Sequence, residues 1–381
     1  MRVLATLIYA ISGQEVAWGK EFSELSIMFQ FRTLLSHLLV VLFSVSVQSI
    51  RAQQMVDTID VDFSSYKGSL ICINEAHNVK TNEQVYLSVI HKMLKSCKHG
   101  DSINLVLEVP YSLVYLYNHD AVNTDTSTRV TDYLRSLICS VRDSKLPVRI
   151  VGYDVEYDEG RTIRRENYLR ALRIMSQGLS RHGASVKTLD EYIGSLLRNG
   201  KWFKSERKEV LIREMEQELS RPHDASTLME IRELLFVLSA EHTVHIDRDS
   251  SMFERLIQAE RLGFVRYKAN FNLLISGSAH ISADSRTLYG LFLDKANSPF
   301  WGKTYLIAQG YFNCRHKDYY NSGNNNFMSG SIIPIELLED EIRKMPQLLK
   351  GGVTAVRGIH LETLNQFRGR ILYWYLHNEV Y

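Results

Sequence analysis

Five short runs of almost unbroken apolar residues, separated by longer amphipathic stretches, constrain this chain more than any other feature. They are Ser69–Asn74 (SLICIN), Ile103–Glu108 (INLVLE), Val148–Asp154 (VRIVGYD), Phe271–Gly277 (FNLLISG) and Thr304–Gln309 (TYLIAQ). A strand with one face in water alternates apolar and polar residues, whereas a strand covered on both faces does not. Such runs alternating with helical segments predict βα units, and hence a mostly parallel β-sheet flanked by helices. A chain of 381 residues is long enough to bury that core.

The connecting segments carry helical signals. Thr81 and Gln84 have the T-x-x-Q spacing of a capping box, and Tyr86, Val89, Ile90, Met93, Leu94 and Cys97 follow on one face. Between the third and fourth runs, residues 161–245 read as helix. Leu189, Tyr192, Ile193, Leu196 and Leu197 form one apolar stripe, and Leu228, Ile231, Leu235 and Leu238 form another. This block is too long for one crossover. It predicts a helical insertion lying over one end of the sheet, with the charged stretch Lys201–Glu218 as a solvated face. Farther on, NSGNNN from Asn321 reads as a flexible loop, and the tail with Ile371, Leu372, Trp374 and Tyr375 as a closing strand or helix. No internal repeat is visible.

Upstream of the first run, Arg32 precedes the apolar segment TLLSHLLVVLFSVSVQ (33–48), and small residues follow at Ser49 and Ala52. A cationic start, an apolar stretch of about a dozen residues and a small residue at the cut make a secretory signal peptide. The stretch is short for a membrane span, which takes about 20 apolar residues. Signal peptides sit at a chain's start, so Met28 is the expected initiator. Residues 1–52 are then an upstream extension plus signal peptide, and 53–381 the α/β domain. The protein is expected to be exported, periplasmic or secreted, with no stable span after cleavage. A formal net charge of +2 gives no field to hold nucleic acid or an anionic membrane, so the expected partner is a small-molecule substrate. Cys72, Cys97, Cys139 and Cys314 lie scattered without a CxxC pair, which argues against a zinc ribbon or a thioredoxin motif. One or two disulfides, or buried thiols, are both open to them.

In parallel α/β sheets, ligands bind beyond the carboxyl ends of the strands, where loops and helix N-termini converge. The first run leads into Asn74-Glu75-Ala76-His77-Asn78 and the second ends in Glu108. The third ends in Asp154, with Glu156 and Asp158 behind it, and the fourth leads into Ser278-Ala279-His280. An unpaired carboxylate at a buried edge is costly or changes its pKa, so charged groups at four such ends mark a site. Each residue also has a structural reading. Glu75 caps the next helix, Glu108 turns into Val109-Pro110, and Asp154 pairs with Arg161, Arg164 or Arg165. His77 and His280 are then satisfied loop histidines. His91, His99, His119, His242, His245 and His316 read as structural or exposed.

These residues carry a resemblance. LICINEAHN looks like the strand and Glu-x-His or Glu-x-x-His that open the erythromycin-esterase-like and ChaN-like (haem-binding lipoprotein) families. LVLEVP is similar to their second strand, VGYD to their third, and LLISGSAHIS to the strand and loop that supply a second histidine. Arg248-Asp249-Ser250-Ser251-Met252 resembles the Arg-Asp-x-x-Met opening a helix before that strand. The likeness covers most of residues 66–310. It departs at three places. One residue separates Glu75 from His77, as in the ChaN-like branch, where the esterases have two. Asn74 stands where a glycine is expected, and Tyr86 stands near the place of an expected arginine.

The resemblance implies hydrolysis of an ester, lactone or amide. His77 would be the general base for a water, held by Glu75 or Glu108, while His280 stabilises the oxyanion or protonates the leaving group. Asp154, Arg248 and Asp249 would bind substrate. No GxSxG elbow is present, so a serine nucleophile is not expected. A second reading is binding without turnover, with Glu75, His77, Glu108 and His280 holding a divalent metal ion or serving a haem. A third is an inactive member of the superfamily.

Overall fold

Each of the five apolar runs becomes a strand of one sheet. The computed structural model describes residues 55–57, 59–77, 79, 81–119, 132–156, 162–184, 186–199, 206–239, 247–281, 284–317, 325–331, 343, 352–356 and 370–378. Among them, nine strands form the sheet: β1 (Met55–Val56), β2 (Leu70–Glu75), β3 (Ile103–Pro110), β4 (Val148–Asp154), β5 (Phe271–Gly277), β6 (Thr304–Lys317), β7 (Asn325–Ser331), β8 (Gly352–Val356) and β9 (Arg370–Asn378). Their order is β1-β8-β9-β6-β2-β5-β3-β4, with β7 pairing β6. The pairs from β9 through β6, β2, β5 and β3 to β4 are all parallel, as is β1 with β8. Only β6–β7 and β8–β9 are antiparallel among the described pairs. The predicted closing element is thus a strand, β9. Of the expected NSGNNN loop, Asn325 and Asn326 open β7, and residues 321–324 lie outside the described residues.

The flanking helices are α1 (Asn82–Ser96), α2 (Tyr111–Asn118), α3 (Asp132–Asp143), α4 (Thr162–Arg181), α5 (Lys187–Asn199), α6 (Glu206–Glu218), α7 (Ala225–Leu238), α8 (Arg248–Arg261) and α9 (Leu288–Asp294). Strands β2 and β5 are buried along their whole length, which is why their sequences do not alternate. On α1, Val85, Tyr86, Val89, Ile90 and Met93 face the core at helical spacing. Each such large apolar side chain contributes about 1.5–3 kcal/mol by leaving water. Thr81 precedes α1 without capping it, because its hydroxyl instead meets Nδ1 of His377 at 2.8 Å. A tertiary partner wins over the local one.

Helices α4 to α7 form the insertion between β4 and β5. It packs on α2 and α8, beside the edge strand β4. Two details differ from expectation. Leu197 is 49% exposed at the end of its stripe. Within the charged stretch, Lys208, Leu211 and Met215 turn inward, so α6 contributes to the core. All four cysteines are free thiols, with Cys72 and Cys314 buried. Among the described residues, no helix is long and apolar enough to cross a membrane. The signal-like segment 33–48 lies outside the described residues.

Two features of the sheet aim the charged strand ends at one another. First, β5 lies between β2 and β3, so the four ends stand side by side as β2-β5-β3-β4. Second, the β3–β4 register shifts between Leu107 and Pro110, a bulge that re-aims Glu108. Gly152 permits it, since a Cβ there would stand 2.6 Å from the carbonyl oxygen of Val109.

Candidate functional site

Glu75 is the last residue of β2, and His77 follows two positions later, where the chain has left the sheet. His77 Nδ1 lies 2.6 Å from Glu75 Oε1, and the Tyr86 hydroxyl donates to Glu75 Oε2. Glu75 is buried, whereas the His77 ring is 46% exposed. Its other nitrogen, Nε2, stands 4.0 Å from Glu108 Oε2. Burial would lower the His77 pKa, but the bond to Glu75 and the charges of Glu75 and Glu108 outweigh it and push the ring up to about 9.

Glu108 is the hub. Its Oε2 accepts from the Ser276 hydroxyl at 3.0 Å and the Gly277 amide at 2.8 Å. Its Oε1 accepts from Arg248 Nη2 at 2.9 Å and lies 3.4 Å from His280 Nε2. Burial alone would raise its pKa. The His280 bond and the charges of His77, His280 and Arg248 instead hold it below the usual carboxylate range. Arg248, the first residue of α8, also reaches Asp154 through Nε at 3.1 Å and Nη2 at 3.0 Å. Asp154 thus has an arginine partner in Arg248, far along the chain; of the nearby arginines, Arg161 and the Arg164 side chain lie outside the described residues. Against burial, Asp154 and Glu108 hold the guanidinium firmly charged.

His280 sits in a 3-10 turn, Ser278–His280, directly after β5. Its Nδ1 bonds Asp249 Oδ1, and Asp249 Oδ2 accepts the Leu288 amide at 3.1 Å. Burial opposes protonation of His280, yet Asp249 and Glu108 push it up to about 9. Its Nε2 is also 3.5 Å from Arg248 Nη1. Behind the cluster, buried Glu156 pairs with Arg255 at 3.1 Å and accepts the Ser112 amide, tying the end of β4 to α2 and α8.

All seven residues singled out from sequence therefore meet at one edge: Glu75, His77, Glu108, Asp154, Arg248, Asp249 and His280. Asp154 and Asp249 are buried and face protein partners, while Arg248 is 44% exposed. The sequence reading missed Tyr86, Ser276 and the Gly277 amide as hydrogen-bond donors to the two glutamates. The small-residue run Ser276-Gly277-Ser278 was the available signal. At Gly277 a Cβ would stand 2.7 Å from His77 Nε2, so the ring and the strand end meet only because that atom is missing. The remaining histidines behave as expected where described. His91 and His99 are exposed, and His119 stacks on Tyr115. His242, His245 and the His316 side chain lie outside the described residues.

Among the described residues, no three His, Cys, Asp or Glu side chains are placed to hold a metal ion. The donors proposed as ligands are already committed, since Glu75 holds His77 and Glu108 holds the Arg248 cation between two carboxylates. A guanidinium at the centre of the cluster occupies the place of positive charge. A groove between α4 and α5, lined by Arg173, Ser176, Gln177, Arg181, Asp190 and Ile193, shares no residue with this cluster.

Fold and site together define a parallel α/β protein with paired imidazole and carboxylate groups along the carboxyl edge of its sheet. By sequence the chain matches no protein-family profile and no curated protein. Solved structures that align with it include a mutant erythromycin esterase in its open conformation, at 12% identity and a TM-score of 0.41. A Bacillus cereus protein aligns at 14% identity and a TM-score of 0.44, and a succinoglycan biosynthesis protein at 11% and 0.45. Each alignment covers 83% of this chain and 89% of the other. Likeness at this level concerns the fold alone.

Proposed function

We propose that this chain is an exported hydrolase that opens an ester, lactone or amide with a water activated by His77. One observation carries the reading: His77 is bonded to Glu75 through Nδ1 at 2.6 Å, while Nε2 lies on a ring that is 46% exposed. An imidazole so held has a fixed tautomer and raised basicity, with one nitrogen free for a proton from water. The oxygen of that water bonds to the carbonyl carbon as its proton passes to Nε2. Arg248 Nη1 and protonated His280 Nε2 face the developing oxyanion. The carbon–leaving-group bond then breaks, and His280 gives its proton to the departing oxygen or nitrogen. Asp154 and Asp249 orient Arg248 and His280, with no contact to substrate.

The test is a panel of chromogenic acyl esters and lactones with wild type and His77→Ala. Wild type should turn over at least one of them, and the variant should lose a factor of about 10²–10⁴, the usual weight of a general base. Equal, background-level rates from both proteins would remove the proposal. Export rests on the segment 33–48, and is checked by whether the N-terminus of protein recovered from outside the cytoplasm begins near Gln53.

A further inference from the structure

Strand β2 has a charged neighbourhood on its β5 side and a neutral one on its β6 side. At the end of β9, His377 is fully buried and stacks on Tyr311, with ring centroids 4.6 Å apart. Its Nε2 lies 2.7 Å from Gln309 Oε1, and its Nδ1 lies 2.8 Å from Thr81 Oγ1. Gln309 Nε2 donates to the Asn74 carbonyl at 2.7 Å, which fixes Oε1 as the atom facing the ring. The proton of His377 therefore sits on Nε2, and Nδ1 accepts from the Thr81 hydroxyl. Burial agrees with this neutral form and pushes the pKa down to about 3.

The same network grips the segment that carries His77. The Gln309 amide donates to Asn74 Oδ1 at 2.7 Å, and Asn74 Nδ2 returns a bond to the Gln309 carbonyl at 3.2 Å. Tyr311 donates to Asn82 Oδ1 at 2.8 Å, and Asn82 Nδ2 donates to the Ala76 carbonyl at 2.8 Å. Ala76 and Val79 pack on Tyr311 and Cys314 as a small apolar cluster of their own. The residues on either side of Glu75, and the two that open α1, are thus tied to β6 and β9. The short contact of the His77 ring is with Glu75, at 2.6 Å against 4.0 Å to Glu108, so its approach to that carboxylate follows the backbone on either side of it.

We propose that His377 is a positioning residue: through Thr81 and Gln309 it fixes the 74–82 segment, and with it the contact between His77 and Glu75. As a statement about turnover it rests on His77 being the working base, but the contact can be read without any substrate. Thr81→Val removes the hydroxyl at nearly constant shape, and Thr81→Ser keeps it. An NMR titration of the His77 imidazole should show its pKa, near 9 in wild type, falling by about one unit toward 6.5 in Thr81→Val and holding in Thr81→Ser. For any ester that wild type turns over, kcat of Thr81→Val should fall about tenfold with KM within about twofold, and Thr81→Ser should match wild type. An unchanged His77 titration in Thr81→Val overturns the proposal, whatever happens to the rate. If Thr81→Val does not fold, His377→Phe keeps the stack on Tyr311 while losing both ring nitrogens, and the same titration decides. A wild type that turns over no ester sinks the hydrolase reading and leaves this titration as valid as before.

Discussion

Three histidines stand at the carboxyl edge of one sheet and are tuned in opposite directions. On the β5 side of β2, His77 and His280 each bond a carboxylate through Nδ1, Glu75 and Asp249 respectively, and both are pushed up to about 9. On the β6 side, His377 bonds a hydroxyl and an amide oxygen, and burial takes it down to about 3. Burial disfavours the charged ring in all three cases. The sign of the outcome is set by whether a carboxylate is close enough to outweigh it. One half of the edge thus carries protons that can move near neutral to alkaline pH, and the other half is a neutral frame.

The most forceful way to break this contrast is pH. With the base and the acid of the proposed reaction both near 9, kcat/KM should climb close to tenfold from pH 7 to pH 8, reach about 25-fold by pH 9, and fall again above it. Both rings face Glu108, so the two apparent values belong to the pair rather than to either residue. A rate profile that is flat between pH 7 and pH 9 would show that His77 is no more basic than an ordinary histidine. A smaller effect sharpens the same contrast by geometry. Gly277 has φ −55°, so alanine brings no backbone strain, only a methyl 2.7 Å from His77 Nε2. The half-exposed ring can swing into solvent, giving up Glu75. Gly277→Ala should therefore lose about tenfold in kcat while losing less than about 1 kcal/mol of stability by chemical denaturation. A variant with wild-type kcat would show that the ring does not work from this position.

Much of the charged half was legible in the sequence, and almost none of the neutral half was. Glu75, Glu108, Asp154 and His280 stand out because each interrupts or ends an apolar run, where an ionisable group needs a reason. Arg248 and Asp249 were visible through the resemblance. The position of β5 between β2 and β3 was not visible, because apolar runs fix strand existence but not strand order. His377 gave no signal, since its partner Thr81 lies 296 residues away in the chain. Thr81 even gave a misleading one: the local capping pattern was present, but its hydroxyl was claimed by a ring brought in from β9.

The smallest expected effect separates the two halves most cleanly, because they act on stability with opposite sign. His77 and His280 have folded pKa values near 9, above the ordinary 6.5, so between pH 6.5 and 9 the folded chain holds protons that the unfolded chain has lost. Their contribution is full below pH 6.5 and disappears as pH rises to about 9. His377, near 3 when folded, is the reverse: below pH 6.5 the unfolded chain takes up a proton that the buried ring refuses, so its contribution fades as pH falls toward 3. Thermal unfolding followed across pH should therefore give a Tm that declines on both sides of about 6.5, with a different histidine responsible on each side. His280→Gln should flatten the alkaline limb relative to wild type and leave the acid limb as it was down to about pH 4.5, below which Glu108 has lost a partner that holds it ionised. His377→Asn, which keeps an acceptor for Thr81, should flatten the acid limb from about pH 6.5 to about 4.5, below which the carboxylates, Glu108 foremost, still act. If either variant altered the opposite limb instead, protons would be taken up on the neutral side of β2 or refused on the charged side, and the division of this edge into a working half and a supporting half would not hold.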